Sequence, residues 1–314
     1  MYQGLSEDIR NRKILDRIVE NDRSIEKTLV RNGYTFRSGK EDGSKKLLIQ
    51  RLWIDTTPAD GFFELMNIES NRSILKTICS LKSAFTQDDL AAKWPLKKVD
   101  ALITELCNLR ILSQRALGNF ELANKEAKFG ENLEWYVAEL FKRKLFATSD
   151  WGVKIEEAPC GGDYDVLARL ENQIVYVECK AKNPGAVKES ELLNFLKRDE
   201  FLRPHISIFF IDSTDNVDPV EDSLNKIGRK IGEVKATHNI KNTFGKPPYV
   251  EGVSSNVRHF QHRLFLVNSK KPVLETFKLC LRHRHRTGEL EQAFKGRFWL
   301  HEEFNKVEKW WPAR

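Results

Sequence analysis

Two short stretches, Tyr164 to Leu170 and Ile174 to Ala181, alternate in side-chain character with a period of two and read as an antiparallel hairpin. One face is core-like, with Tyr164, Val166, Ala168 and Leu170 beside Val175, Val177, Cys179 and Ala181. The other gathers ionisable groups: Asp163, Asp165, Leu167 and Arg169 beside Tyr176, Glu178, Lys180 and Lys182. A two-residue turn at Asn172-Gln173 sets Asp165 across from Lys180, with Glu178 one pleat away on the same face. Two carboxylates and an ammonium held on rigid strands suit hydrolysis of a phosphodiester with a hard divalent cation. Mg²⁺ prefers oxygen ligands, keeps several waters, and takes one or two carboxylates together with substrate phosphate oxygen. Such an ion lowers the pKa of a bound water, while Lys180 orients that water or neutralises charge developing on the phosphate. The plainer reading is a cross-strand Asp165–Lys180 ion pair on a solvated face, which is worth only about 0.2–1 kcal/mol. Leu167, Tyr176 and the nearby Trp135 argue that this face is covered instead. Asp163 and Lys182 share it and are the substitutes if the register is displaced.

The elements around the hairpin are those that would hold it. Gly130 to Leu145 is an amphipathic helix with Leu133, Val137, Leu140 and Phe141 toward a core, and Val153 to Ala158 is a strand. A helix near Glu189 to Phe201, a buried strand in His205-Ile-Ser-Ile-Phe-Phe-Ile-Asp212 and a helix over Val217 to Val234 follow. After a Pro/Gly/Asn-rich loop come a strand at His262 to Asn268 and a helix at Val273 to Arg284. The expected class is α/β (α+β), a mixed sheet flanked by helices.

Asp165, followed thirteen positions later by Glu178-Cys179-Lys180 and preceded by a helix carrying Glu134, resembles the PD-(D/E)XK nuclease superfamily over roughly residues 128–212. The resemblance implies a restriction endonuclease-like fold, with Asp165 and Glu178 as metal ligands, Lys180 as the catalytic lysine, and Glu134 as a further acidic group reaching the metal from its helix. The cofactor it implies is Mg²⁺ or Mn²⁺, the activity hydrolytic, and the assembly a homodimer able to cut both strands. Tyr164 stands where the family's proline precedes the aspartate, and no QxxxY element follows in the next helix.

Toward the amino terminus, Ile9, Ile14, Leu15 and Ile18, then Ile25 and Leu29, read as two helices, with Gly33 a stop. Leu47 to Ile54 reads as a strand before a Thr56–Gly61 loop. In residues 70–124 a helix over Ser73 to Leu81 is followed by a second that Thr86 caps with Asp89, and that Trp94-Pro95 closes. A third carries the stripe Leu96, Val99, Ile103 and Leu106, and a wing follows around a turn at Gly118-Asn119. This order resembles a winged helix-turn-helix, whose third helix would offer Lys97, Lys98, Thr104 and Asn108 to DNA. The expected organisation is a helical and strand region at 1–69, the winged-helix region at 70–124, and the nuclease-like unit at 125–314.

The chain has 314 residues, 40% hydrophobic and 31% charged, which excludes disordered and low-complexity classes. No apolar stretch is long enough to span a membrane and the first residues lack a secretory signal, so no membrane partner and a cytoplasmic location are expected. Five widely spaced cysteines without a CxxC pair indicate no disulfide framework. The net charge of +7 is unevenly spread: residues 125–240 carry an acidic excess and residues 241–314 a basic one. The basic run Arg282-His283-Arg284-His285-Arg286 would track a phosphate backbone through charge alone, whereas a helix end in solvent explains it equally simply. His283 and His285, two apart on a helix, point in different directions and do not make a metal pair. Trp299, Trp310 and Trp311 read as packing anchors. Together these features point to a metal-dependent endonuclease acting on DNA, of the restriction, repair or defence type. The alternatives are a non-catalytic DNA-binding or scaffolding protein with an inactive nuclease-like core, and an RNA-directed defence nuclease.

Overall fold

The computed structural model describes residues 24–38, 45–49, 56–81, 83–116, 118–213, 223–238, 240 and 251–295. The first amino-terminal helix, most of the loop after residue 240, and Trp299, Trp310 and Trp311 lie outside these residues. Its centre is an eight-stranded mixed sheet in the order β1-β5-β6-β7-β8-β11-β10-β9. The strands are β1 (Phe36–Ser38), β5 (Thr148–Ile155), β6 (Tyr164–Leu170), β7 (Gln173–Lys180), β8 (Ile206–Ile211), β9 (Glu251–Ser254), β10 (Val257–Phe260) and β11 (Leu264–Asn268). β7, β8 and β11 run parallel, and their neighbours on either side are antiparallel. Parallel strands are buried on both faces and therefore read as continuous apolar runs. β8, Ile-Ser-Ile-Phe-Phe-Ile, is of that kind, and every one of its residues is buried.

Alternation along the strands sends side chains into two separate cores. Ile208 and Phe210 join Val166, Ala168, Val175 and Val177 on the face covered by α6 (Phe129–Leu145) and α9 (Val273–Lys295). Phe209 and Ile211 join Leu167, Tyr176 and Ile174 on the face covered by α1 (Ile25–Arg31), α7 (Glu189–Leu202) and α8 (Ser223–Thr237). The mixed sheet flanked by helices is the architecture expected from the sequence. β1, β9 and β10 are additions that it did not reveal; of the expected strand Leu47 to Ile54, Leu47 to Ile49 are buried outside any strand and the rest lies outside the described residues.

The remaining elements precede the sheet. Helices α2 (Thr56–Asn67) and α3 (Glu69–Leu81) are followed by β2 (Phe85–Thr86), α4 (Gln87–Ala91), α5 (Leu96–Asn108), β3 (Leu112–Ala116) and β4 (Asn119–Leu122), and these three strands form a small sheet ordered β2-β4-β3. Thr86 caps α4 reciprocally with Asp89. The expected loop at Thr56–Gly61 is the start of α2. Pro58 falls in the first turn, where its missing N–H has no intrahelical partner to lose, and Gly61 allows Leu109 to lie where a β-carbon would stand, 2.9 Å away. On α5 the buried stripe is Val99, Leu102, Ile103 and Leu106, whereas Leu96, at the helix start, is half exposed.

This module is joined to the sheet through α6. Phe62 stacks on Trp135 and Phe63 on Tyr136 at 5.4 and 5.6 Å between centroids. Arg72 of α3, fully buried, grips Asp212 just after β8 through Nε and Nη2 at 3.0 Å each, and donates from Nη1 to the Met66 carbonyl at 2.7 Å. The Asp212 amide in turn donates to the Lys180 carbonyl at 2.8 Å. No helix among the described residues is long and apolar enough to cross a membrane.

Candidate active site

Where β5, β6 and β7 run side by side, the two ladders of β6 leave out one residue. Trp151 pairs with Val166 and Val153 with Tyr164 on one side, while on the other the ladder stops at Val166 and Val177. Asp165 lies in the gap. Beside it, Gly152 has φ +59°, in the left-handed region that favours glycine, and this turns β5 so that Trp151 and Val153 enter different cores. Tyr164 likewise passes to the α7 side, which corrects the expected core-like face by that one residue. The Cys179 amide, which lies beyond the last β6–β7 pair, donates to Asp165 Oδ2 at 2.8 Å. A break in regular pairing thus aims the carboxylate.

The hairpin turn is Glu171-Asn172, since Leu170 pairs with Gln173 and Arg169 with Ile174. Continued one step past Val166–Val177, this register brings Asp165 level with Glu178 rather than with Lys180, as expected from the sequence. A two-residue slip leaves every side chain on its face, so the cluster survives it. Lys180 Nζ lies 2.6 Å from Glu178 Oε1 and 3.7 Å from Asp165 Oδ2. Glu178 is 3% exposed and also accepts from the Tyr176 hydroxyl and from Arg198 Nη1 at 3.1 Å.

α6 brings Glu134 to the same place. Asn132 fixes the start of that helix by accepting from the Leu48 amide at 2.9 Å and donating to the Lys128 carbonyl at 2.7 Å. Leu133, Trp135, Val137, Leu140 and Phe141 then bury the inner face, and Glu134 lines a cleft of about 480 Å³ with Asp165, Glu178, Lys180 and Arg198. No hydrogen bond or salt bridge reaches the Glu134 carboxylate among the described residues. Burial first, then the negative charges of Asp165, Glu131 and Glu178, push its pKa well above the ordinary carboxylate value. Burial and Glu178 likewise raise Asp165. Lys180 is drawn down by burial, but Asp165 and Glu178 more than offset this and hold it above the usual lysine value, so it remains an ammonium.

The substitutes fare differently. Lys182 is engaged by Glu191 at 2.7 Å, and Asp163 lies 3.8 Å from Lys154. Sequence reasoning missed Arg198. It reaches the cleft from α7, where Glu191, Asn194 and Arg198 recur at helical spacing as a polar stripe on the face turned to the cleft. Its Nη2 donates to the Gly161 carbonyl at 3.2 Å, its Nε is buried without a hydrogen bond, and Gly162 at φ +95° gives it room, since a β-carbon there would stand 2.5 Å from Nη2.

The proposed nucleic-acid contacts are not brought to the cleft. Lys97 is exposed and Lys98 half-buried on α5, with Thr104 and Asn108 exposed on the same helix. Arg282, Arg284 and Arg286 lie on α9, and Arg284 influences His205, which bonds to Ile174 at the start of β7. Lys180 ends that strand, about 20 Å away at 3.3 Å per residue.

A hard divalent cation fits the donor set. Asp165 and Glu134 line one cleft, and their ionised forms are opposed by burial and by neighbouring carboxylates, Glu178 for both, an excess that such an ion would relieve. Each Glu178 oxygen already accepts hydrogen bonds, so its share rests on remaining lone pairs.

No protein-family model and no curated protein matches the chain. Among solved structures it is similar to protein VC1899 from Vibrio cholerae, at 18% identity over 66% of this chain and 57% of that one with a TM-score of 0.33. It is also similar to Can2 from Sulfobacillus thermosulfidooxidans in complex with cyclic tetra-adenylate, at 12% identity over 69% and 59% with a TM-score of 0.35. The chain thus spans less than two thirds of the length of either.

Proposed function

We propose that the chain is a metal-dependent nuclease hydrolysing phosphodiester bonds, with DNA as its substrate. The observation that carries this reading is the meeting of two carboxylates raised in pKa, Glu134 and Asp165, with an ammonium held charged, Lys180, in one cleft. Asp165 and Glu134, with Glu178, would hold Mg²⁺ or Mn²⁺. When bound, the ion supplies a water of lowered pKa and offsets charge on the phosphate.

The chain's own residues do the rest. Lys180, held charged by Asp165 and Glu178, acts in this reading as a fixed cation for the scissile phosphate and a donor that orients the attacking water. Arg198 holds Glu178 in place, and Glu178 holds Lys180. In this reading residues 125–314 form the catalytic unit, and the region 70–124 is a winged helix that offers Lys97 and Lys98 to the DNA backbone. Arg282, Arg284 and Arg286 then serve backbone contact away from the cleft, or a helix end in solvent.

The test is cleavage of supercoiled plasmid, single-stranded DNA and single-stranded RNA under a Mg²⁺ titration, with chelator as the blank. DNA nicking that needs the metal and vanishes in Asp165→Ala supports the proposal. Cleavage of RNA alone would move it to an RNA-directed nuclease, and cleavage of nothing by a folded protein would favour a non-catalytic DNA-binding role.

A further inference from the structure

At the opposite end of the parallel strands from the cleft, three imidazoles converge. His259 is the penultimate residue of β10, His262 lies in the turn to β11, and His283 comes from α9. One ligand atom from each lies within 4.8 Å of the other two, and His262 Nδ1 is 2.8 Å from His283 Nε2. The ring centroids are 4.5–5.1 Å apart. His283 therefore does have histidine partners, but across the fold rather than at His285, where helical geometry excluded one.

The backbone is bent to make this meeting. Arg263 N–H bonds to the Phe260 carbonyl at 3.2 Å, closing a turn whose central residues, Gln261 and His262, have φ of 47° and 56°. Both are in the left-handed region, which such turns normally give to Asn and Gly. Two ordinary residues are strained here, and the result is that the His262 ring stands over His259 and His283. Strain of this sort gathers at binding sites.

We infer that His259, His262 and His283 form a transition-metal site, for Zn²⁺ or an ion of similar preference, that ties α9 to the β10–β11 turn. Imidazole nitrogens suit Zn²⁺, Co²⁺ and Ni²⁺ rather than Mg²⁺. Tetrahedral Zn²⁺ with bonds of about 2.0–2.1 Å sets its nitrogens about 3.3 Å apart, wider than the 2.8 Å pair and inside the 4.8 Å that bounds all three. Small ring rotations close the difference. Burial, then the neighbouring imidazoles, hold His259 down to about 3; burial, His262, Arg284 and Arg286 hold His283 down to about 4. Neutral imidazole is the form that binds metal. Arg284 and Arg286 oppose a dication as they oppose a proton, so the affinity falls short of an all-thiolate zinc site. His262 and His283 are less enclosed than His259, which leaves a fourth position for water. The inference does not depend on the nuclease reading, since the site is separate from Glu134 and Asp165.

The experiment uses the chelator-treated full chain titrated with Co²⁺, then Zn²⁺, reading the visible d–d bands, with a zinc-edge X-ray absorption spectrum of the loaded wild type. Expected are one equivalent of Co²⁺ with intense tetrahedral bands, displacement by Zn²⁺, and three imidazole nitrogens at about 2.0 Å. The bands should persist in Asp165→Ala and weaken at least tenfold in affinity in His283→Gln and His262→Gln. Absence of the bands in wild type, an oxygen-only zinc shell, loss in Asp165→Ala, or unchanged affinity in both folded histidine variants would each overturn it. The absorption spectrum decides the matter if neither variant folds.

Discussion

Arg198 is the residue on which the geometry of the cleft most depends, and its replacement has a calculable cost. The guanidinium is 7% exposed and uses two nitrogens at once, Nη1 on Glu178 Oε2 at 3.1 Å and Nη2 on the Gly161 carbonyl at 3.2 Å. Arg198→Leu leaves Glu178, itself 3% exposed, with Lys180 and the Tyr176 hydroxyl alone. Breaking a buried pair by removing one partner costs about 3–5 kcal/mol. Lys180 retains part of the compensation here, so the lower end, about 3 kcal/mol, is expected. Arg198→Lys should recover less than half of that, because one ammonium cannot span both acceptors. Urea unfolding of the full chain without metal, run as a cycle with Glu178→Gln, reads both effects, and a coupling of about 2–3 kcal/mol between the two positions is expected. A loss below about 1 kcal/mol for Arg198→Leu, or an Arg198→Lys protein indistinguishable from wild type, would refute the reasoning.

Three further outcomes follow from the structure. Arg72→Met strands Asp212 at 6% side-chain exposure and should lower stability by about 3–5 kcal/mol in urea unfolding, whereas Arg72→Met with Asp212→Leu should recover most of it. Glu134→Gln should stabilise the chelated protein in thermal unfolding, since burial and the charges of Asp165, Glu131 and Glu178 oppose a carboxylate there but not an amide; Mg²⁺ should reverse the ranking and cleavage should fall. Lys235, 9% exposed, is drawn down to about 8 by burial first, against the attraction of Asp199. Between that value and the unfolded value of about 10.4 the unfolded chain holds the extra proton, so stability rises with pH across this window; Lys235→Met should remove the rise and stabilise the protein at pH 7, as urea midpoints across pH will show.

What was legible in the sequence was whatever has a short period. The alternation of β6 and β7 disclosed the charged face with Asp165, Glu178 and Lys180, and the helical stripe of α6 disclosed its inner side, which all proved buried. Register was not legible, because a slip of two leaves each residue on its face and no side chain reports it. Tyr164 crossed to the other core through the φ of Gly152 on a neighbouring strand, which nothing within β6 signals. Arg198 and the three histidines are assembled from elements far apart in sequence, so local pattern could not join them. Pro58 and Gly61 were read as a loop because turn chemistry and a helix's first turn use the same residue types.

The central claim is that Glu134 and Asp165 hold a hard divalent cation beside Lys180, and the most direct measurement is a crystal of the full chain soaked with Mn²⁺ and examined by anomalous scattering. The account predicts a peak within about 2.0–2.4 Å of an Asp165 oxygen and a Glu134 oxygen, absent in an Asp165→Ala crystal. A cleft without manganese in crystals that take it up elsewhere would contradict the claim.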